Sequence, residues 1–261
     1  MDVVIRKSTE DAVNFAARLL ADAIKCKPDI VLGLATGRTM ENLYGRLVTM
    51  HKNDKLDFSL ARSFNLDEYV GLPAEHPGSY RFYMSRYLHN HVNIDKRNTF
   101  LPNGMAEDLA AECCAYEKRI KSVGGIDLQL LGIGRSGHIG FNEPLSALTS
   151  RTRPVVLTAT TIAENSTLFD NPADMPRRAI TMGVGTIMDC RRLILLATGE
   201  SKAEIIAKAV EGPVSSRVTA SVVQLHQNCT VICDEAAASQ LEEREYCQWV
   251  FDNDPMWDPY R

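Results

Sequence analysis

The sequence of 261 residues has no apolar run approaching ~18 residues, so no membrane-spanning helix is expected. Its start, "MDVVIRKSTEDAV", lacks a basic region followed by a long apolar stretch, and no signal peptide is expected. Positive charge is not in excess. The 29 Lys and Arg face 33 Asp and Glu, a formal net charge of −4, so nothing global attracts nucleic acid or an acidic membrane. Any anionic ligand must be held by a local site. The seven cysteines (26, 113, 114, 190, 229, 233, 247) are odd in number and lack framework spacing, which points to reduced, cytoplasmic thiols. "CTVIC" (229–233) has no CxxC or His-x-x-x-His companion, so it reads as core cysteines on a strand, and no metal is expected. There is no Ser/Gly/Pro-rich linker, repeat or low-complexity block. One domain over 1–261 is expected, long enough for a single core to bury roughly three-quarters of the unfolded chain's surface. The Pro-broken end "DNDPMWDPYR" reads as an irregular tail from about 250 that either folds over a neighbouring surface or frays.

What the chain does contain is alternation. "DIVLGLA" (29–35) reads as a buried strand, followed by a helix over 39–53 with apolar residues at 40, 43, 44, 47, 48 and 50. Thr39 reads as its N-cap, with Asn42 where a capping box would place Glu or Gln. "LARSFNL" is the next strand, and "GSYRFYMSRYLHNHV" a helix whose aromatic stripe reads as core. The pattern continues with "NTFLP", a helix over 106–122, "GGIDLQLLGIG", "RRLILLATG" (191–199), a helix over 200–210, "SVVQLH" and "NCTVICDEAAASQL". Strands alternating with helices imply right-handed crossovers and an α/β fold: a largely parallel sheet with helices on both faces. Ligands of such sheets bind beyond the carboxyl ends of the strands, where 36–39, 65–69, 132–143 and 198–202 would fall.

Each of these stretches carries residues that could do chemistry. In "ATGRT" (35–39), Gly37 permits close backbone approach, Thr36 and Thr39 offer hydroxyls, and Arg38 offers an N–H fork. The set suits a phosphate at a helix N-terminus, and suits an ordinary strand–helix turn equally. No Walker loop is present. Lys202, in "TGESKAEII", falls in the first turn of a helix, where a cation costs roughly 0.3–1 kcal/mol against the dipole unless an anion binds; the alternative is a solvated lysine. Asp67 and Glu68, in "FNLDEYVGLP", sit at a strand end as a metal pair, a helix cap or a general base. The last would take a proton from carbon beside a carbonyl if its pKa were raised from about 3.9.

The densest stretch is "LGIGRSGHIGFNEP" (131–144). Gly132, Gly134 and Gly137 meet the dinucleotide spacing G-x-G-x-x-G, but Pro144 comes too soon for a long helix, and 152–162 contains no acid for a ribose. Ser136 lacks the G-x-S-x-G elbow of a serine hydrolase. What remains is His138 with Glu143, an imidazole that can shuttle protons and a carboxylate that can orient it.

Through "LGLATG", "FNLDEYVGLP", "GIGRSGHIGFNEP", "SRTR", "TMGVGTIMD" and "TGESKA", nearly the whole chain resembles the glucosamine-6-phosphate deaminase family, isomerising enzymes related to 6-phosphogluconolactonases. The resemblance implies a Rossmann-like single domain that turns glucosamine 6-phosphate into fructose 6-phosphate and ammonia in amino-sugar catabolism, with no metal or organic cofactor. It implies Asp67 as the base at C2, His138 as the ring-opening proton carrier and Glu143 as its acidic partner, with phosphate held by the Thr36–Thr39 loop and Lys202. The partner implied is a small amino-sugar phosphate, the chain being a monomer or a homo-oligomer.

Three residues depart from the family pattern. Ser136 stands where many members have an acid or Asn, so it can hydrogen-bond His138 but not offset its charge. Thr167 stands where an arginine commonly meets the substrate, a charge that Arg38 or Arg135 could replace. Val155 stands where a lysine accompanies Arg153 in the activator site of allosteric members, so activation by N-acetylglucosamine 6-phosphate is not expected. Ser136 and Thr167 also leave open a sugar-phosphate-binding paralogue without turnover, or one with altered specificity; Asp67, His138 and Glu143 together count against it.

Overall fold

A computed structural model describes residues 1–166, 169 and 171–261. Its strands are β1 (Asp2–Arg6), β2 (Val31–Leu34), β3 (Arg62–Asn65), β4 (Asp67–Tyr69), β5 (Thr99–Phe100), β6 (Leu128–Leu131), β7 (Arg153–Val156), β8 (Arg178–Thr181), β9 (Arg192–Ala197) and β10 (Cys229–Asp234). The helices are α1 (Thr9–Cys26), α2 (Arg38–Asp54), α3 (Tyr80–Met84), α4 (Leu109–Ser122), α5 (Ala159–Asn165), α6 (Val184–Met188), α7 (Ala203–Val210) and α8 (Arg244–Asn253). Seven strands form a parallel sheet in the order β1-β10-β9-β6-β2-β3-β5. All six residues of β10 and all four of β6 are buried. Since successive side chains point to opposite faces, both faces of the sheet are covered. α1 packs on α2, β9 and β10, and α7 on the 3₁₀ segment Thr219–Leu225.

A second sheet, β4-β8-β7, is antiparallel and small. Leu66 joins the two sheets: its N–H donates to Leu34 O of the large sheet, and its carbonyl accepts from Met182 N just after β8. That single residue carries the chain from β3 into β4 and delivers Asp67 immediately beyond the large sheet.

Several local expectations need correction. α2 starts at Arg38 with Gly37 as N-cap, at φ 117 and without a side-chain cap, so Thr39 lies inside the first turn and caps nothing. Lys202 closes a 3₁₀ turn, Glu200–Lys202, and is itself the N-cap of α7. "SVVQLH" continues the 3₁₀ segment from Thr219 instead of supplying a strand, with Gln224 Nε2 tying it to Ala209 O and Gly212 O behind α7. The helix expected over 106–122 begins at Leu109, because Asp108 accepts from the amides of Ala110 and Ala111. Beyond α8 the tail forms a 3₁₀ turn, Pro255–Tyr260, whose Trp257 is buried against Phe15 and Phe251. Burying a side chain of that size stabilises by about 3 kcal/mol.

No helix among the described residues is long and apolar enough to cross a membrane. All seven cysteines are free, with Cys229 and Cys233 buried on β10.

Candidate active site

The carboxyl ends of β2, β3, β6 and β9 open into one cavity of about 520 Å³. All four stretches singled out in the sequence reach its wall: Thr36, Gly37, Arg38 and Thr39; Asp67; Gly134 and His138; and Lys202.

The "ATGRT" loop is held by tyrosines from outside it. Tyr44 donates its hydroxyl to Ala35 O and Tyr83 donates to Gly37 O at 2.7 Å. Gly37 brings no side-chain acceptor to the first turn of α2, which leaves that helix end suited to an anion from the cavity. Across the cavity Lys202 Nζ donates to Ile133 O at 2.7 Å, fixing the ammonium beside the 132–138 loop. Burial pulls Lys202 below its usual value; Glu164 opposes that shift and Arg135 adds to it.

The two adjacent acids divide their work. Glu68 is the cap: its Oε1 accepts from the amides of Tyr69 and Tyr80 and its Oε2 from Arg81, each at 2.9 Å. Those bonds fasten the start of α3 to β4. Asp67 points at the cavity, and among the described residues its carboxyl makes no side-chain hydrogen bond. Burial, reinforced by the Glu68 charge, pushes Asp67 up to about 8. A carboxylate so placed is a stronger base than one in water.

The crowded loop resolves into a supported imidazole. His138 lines the cavity, whereas Ser136 and Glu143 lie behind it. Nδ1 of His138 is 2.8 Å from Ser136 Oγ and 3.0 Å from Glu143 Oε2, and Ser136 Oγ also donates to Glu143 Oε2 at 3.0 Å. Thr161 and Thr158 donate to the other oxygen of Glu143. Burial alone would raise the Glu143 carboxyl, but the bond and charge of His138, with those of Thr161 and Ser136, outweigh it and hold the carboxyl at about 2. An ionised Glu143 only accepts, so Nδ1 carries a proton in either form of the ring, and Nε2 is the nitrogen left to exchange protons with the cavity.

The glycines serve this geometry. A Cβ on Gly134 would sit 2.1 Å from His138 Nε2, inside the space of the ring, and Gly137 has φ +80, which favours glycine. Neither fact calls for a nucleotide.

A family model described as glucosamine-6-phosphate isomerases/6-phosphogluconolactonase matches residues 6–232. The chain belongs to this family. Within the glucosamine-6-phosphate isomerase/6-phosphogluconolactonase family, the glucosamine-6-phosphate deaminase of Shewanella loihica is 50% identical over 250 residues, covering 96% of this chain and 93% of that protein. The glucosamine-6-phosphate deaminase of Clostridium perfringens strain 13 is 47% identical over 242 residues, covering 93% of this chain and all (100%) of that one. Among solved structures, a monomeric glucosamine-6-phosphate deaminase superposes with a TM-score of 0.90 at 45% identity, covering 92% of this chain and 100% of its own. The 6-phosphogluconolactonase of Trypanosoma brucei, at TM-score 0.74 and 20% identity with 92% and 98% covered, shares the fold.

Some of the wall was missed in the sequence. The aromatic stripe of 78–92 is not simply core: Met84 and Leu88 are buried inward, while Tyr80, Phe82, Tyr83 and Tyr87 face the cavity. The spacing of Tyr80, Tyr83 and Tyr87 was the signal, since it puts all three on one helical face. Glu164 and Asn165 on α5 also line the cavity, where Asn165 Nδ2 donates to the Tyr69 hydroxyl at 3.0 Å. Thr167 lies outside the described residues. Among the described residues no cluster of three or more His, Cys, Asp or Glu is arranged to hold a metal.

Proposed function

We propose that this chain is a glucosamine-6-phosphate deaminase, taking glucosamine 6-phosphate and water to fructose 6-phosphate and ammonia. One observation carries the mechanism: a buried carboxyl with no side-chain hydrogen bond among the described residues and a supported imidazole line the same cavity as an anion-suited helix end and a lysine. The ester's phosphate is held at the Thr36–Thr39 loop and Lys202. Those contacts supply binding energy remote from the reacting carbons and hold them in place.

His138 Nε2 then moves the proton between the anomeric hydroxyl and the ring oxygen that opens the sugar. Glu143 stabilises the imidazolium while it lasts, and Ser136 keeps Nδ1 and Glu143 in register. Asp67 removes the proton from C2 and returns it to C1 while the aldehyde oxygen takes a proton from the substrate's own ammonium group, leaving a hydroxyl at C1 and an iminium at C2. Water adds there and ammonia leaves, giving the ketone. We assign the enzyme to the breakdown of amino sugars, including those derived from N-acetylglucosamine, in the cytoplasm, where seven free thiols stay reduced.

The test is turnover on a panel of amino-sugar phosphates, read as ammonia release and coupled fructose 6-phosphate formation. Binding of the sugar ester without either product would overturn the reading in favour of a non-catalytic binder.

Allosteric activation is not part of this function. Arg153 is already engaged, donating to Asn142 Oδ1 at 2.8 Å and to Ser146 Oγ at 3.1 Å. Val155, two residues along β7, packs on a small apolar cluster and offers no charge to a phosphate. Velocity against substrate should be hyperbolic and unmoved by N-acetylglucosamine 6-phosphate; sigmoidal curves relieved by that ligand would reject this.

A further inference from the structure

The loop that presents His138 also presents a cation with no part in the scheme above. Arg135 is exposed, lines the cavity, and its Nε lies 3.2 Å from Glu164 Oε1 on α5, which lines the same cavity. Lys202 joins this group through its bond to Ile133 O, two residues before Arg135. The three charges sense one another, Glu164 favouring the Lys202 ammonium and Arg135 disfavouring it. Two cations and one carboxylate therefore gather on the wall where a phosphate is to be held.

We infer that Arg135 is a ligand of the substrate's phosphate, occupied in the free protein by Glu164, and that the ester displaces this carboxylate when it binds. This rests on the deaminase reading for the identity of the ester, but not for the anion chemistry. Arg135 and Glu164 keep side-chain exposures of 69% and 35%, and an ion pair so open to water holds weakly. A guanidinium fork matches two phosphate oxygens with parallel N–H donors, and the phosphate brings more charge than a carboxylate. Exchange of one anion for the other leaves Arg135 satisfied in both states. It releases Glu164 from Arg135 when the pocket fills.

The experiment titrates the whole protein with inorganic phosphate by calorimetry at low ionic strength, which needs no turnover. R135Q should weaken phosphate binding by roughly tenfold, the loss of one charge-assisted contact, with R135K between it and the native protein. E164Q should tighten binding several-fold. In the R135Q background E164Q should tighten binding clearly less, because the competition for Arg135 has been removed and only the field of Glu164 on Lys202 and the phosphate remains. The KM for glucosamine 6-phosphate should follow the same order. Native phosphate affinity in R135Q would overturn the inference. So would equal tightening by E164Q in both backgrounds, which would mean a general field effect without exchange. If phosphate binding follows the expected order while no amino-sugar phosphate is turned over, the deaminase reading fails and the ligand assignment stands. Turnover with phosphate affinity indifferent to Arg135 is the reverse.

Discussion

Nδ1 of His138 lies 3.0 Å from Oε2 of Glu143, and Ser136 Oγ is within hydrogen-bonding distance of both. The arrangement separates what a hydroxyl and a carboxylate do for an imidazole. Removing Ser136 leaves the charged partner in place but takes one charge-assisted hydrogen bond from it, so S136A should lower kcat by roughly tenfold, less than the loss of the charge itself. E143Q removes the charge that stabilises the imidazolium and should cost about 10²-fold or more. Steady-state ammonia release measures both. Equal losses would show that the charge of Glu143 is not what matters.

Gly134 gives a steric test of the same site. The Cβ of G134A would overlap the His138 ring at 2.1 Å from Nε2. The ring must turn or shift, so activity should fall by about 10²-fold, since small misplacements of a catalytic group have effects of that size. The residue is on a loop rim, and thermal unfolding should change by only a few degrees. Full activity in G134A would mean that the ring position seen here is not the working one.

Asp67 connects catalysis, stability and pH. Its pKa of about 8 lies above the ordinary value of 3.8, so the folded protein binds this proton more tightly than the unfolded chain does. The stability contribution is full below the unfolded pKa and is lost as pH rises towards 8. D67N has no charge to bury. Its melting temperature relative to native protein should therefore improve between pH 4 and 8 and level off above that. Activity runs the other way: the base must be ionised, so kcat/KM should rise with an apparent pKa near 8, and D67N should lose about 10²–10⁴-fold. A D67N protein that turns over normally would remove Asp67 as the base.

Asp234 should act from a distance, as a positioning residue for the Lys202 turn. At the end of β10 its carboxylate accepts from Gly199 N at 3.0 Å, Ala237 N at 2.8 Å and the Thr9 hydroxyl at 2.6 Å. Gly199 adopts φ +88 three residues before Lys202. In D234N an NH₂ group faces at least one of these donors, and the turn loosens. KM for the sugar ester and the affinity for inorganic phosphate should weaken together by roughly threefold to tenfold, as for one lost buried hydrogen bond. Loss confined to kcat, with phosphate affinity intact, would argue against the positioning role.

The parallel sheet was legible because its inner strands are buried on both faces. "LILLA" is apolar throughout and "CTVIC" is broken only by Thr230, and such a run followed by an amphipathic segment is a local signal. The second sheet was not legible. β4 is "DEY" and β8 is "RAIT", too short and too polar to show a period, and they are strands only because Leu66 and Met182 bring them together. The helix cap at Thr39 failed for a similar reason: local propensity favours threonine, while the strand exit at Gly37 fixed where the helix could begin.

By itself the sequence determined which chemistries this protein carries: an isolated pair of acids, one histidine with a carboxylate five residues on, a glycine-threonine loop and a lysine, with no excess of positive charge to bind anything globally. Residue by residue it left Asp67 and Glu68 as equal candidates for the base, and only the family resemblance implied Asp67. Tertiary structure decided their surroundings: Glu68 accepts from the amides of Tyr80 and Arg81, while Asp67, with no side-chain hydrogen bond among the described residues, is buried at the cavity wall, where desolvation raises its proton affinity. It also decided that loops separated by up to 166 residues, from Thr36 to Lys202, share one wall, since parallel strands bring their carboxyl ends to the same side of the sheet however far apart they lie in the chain.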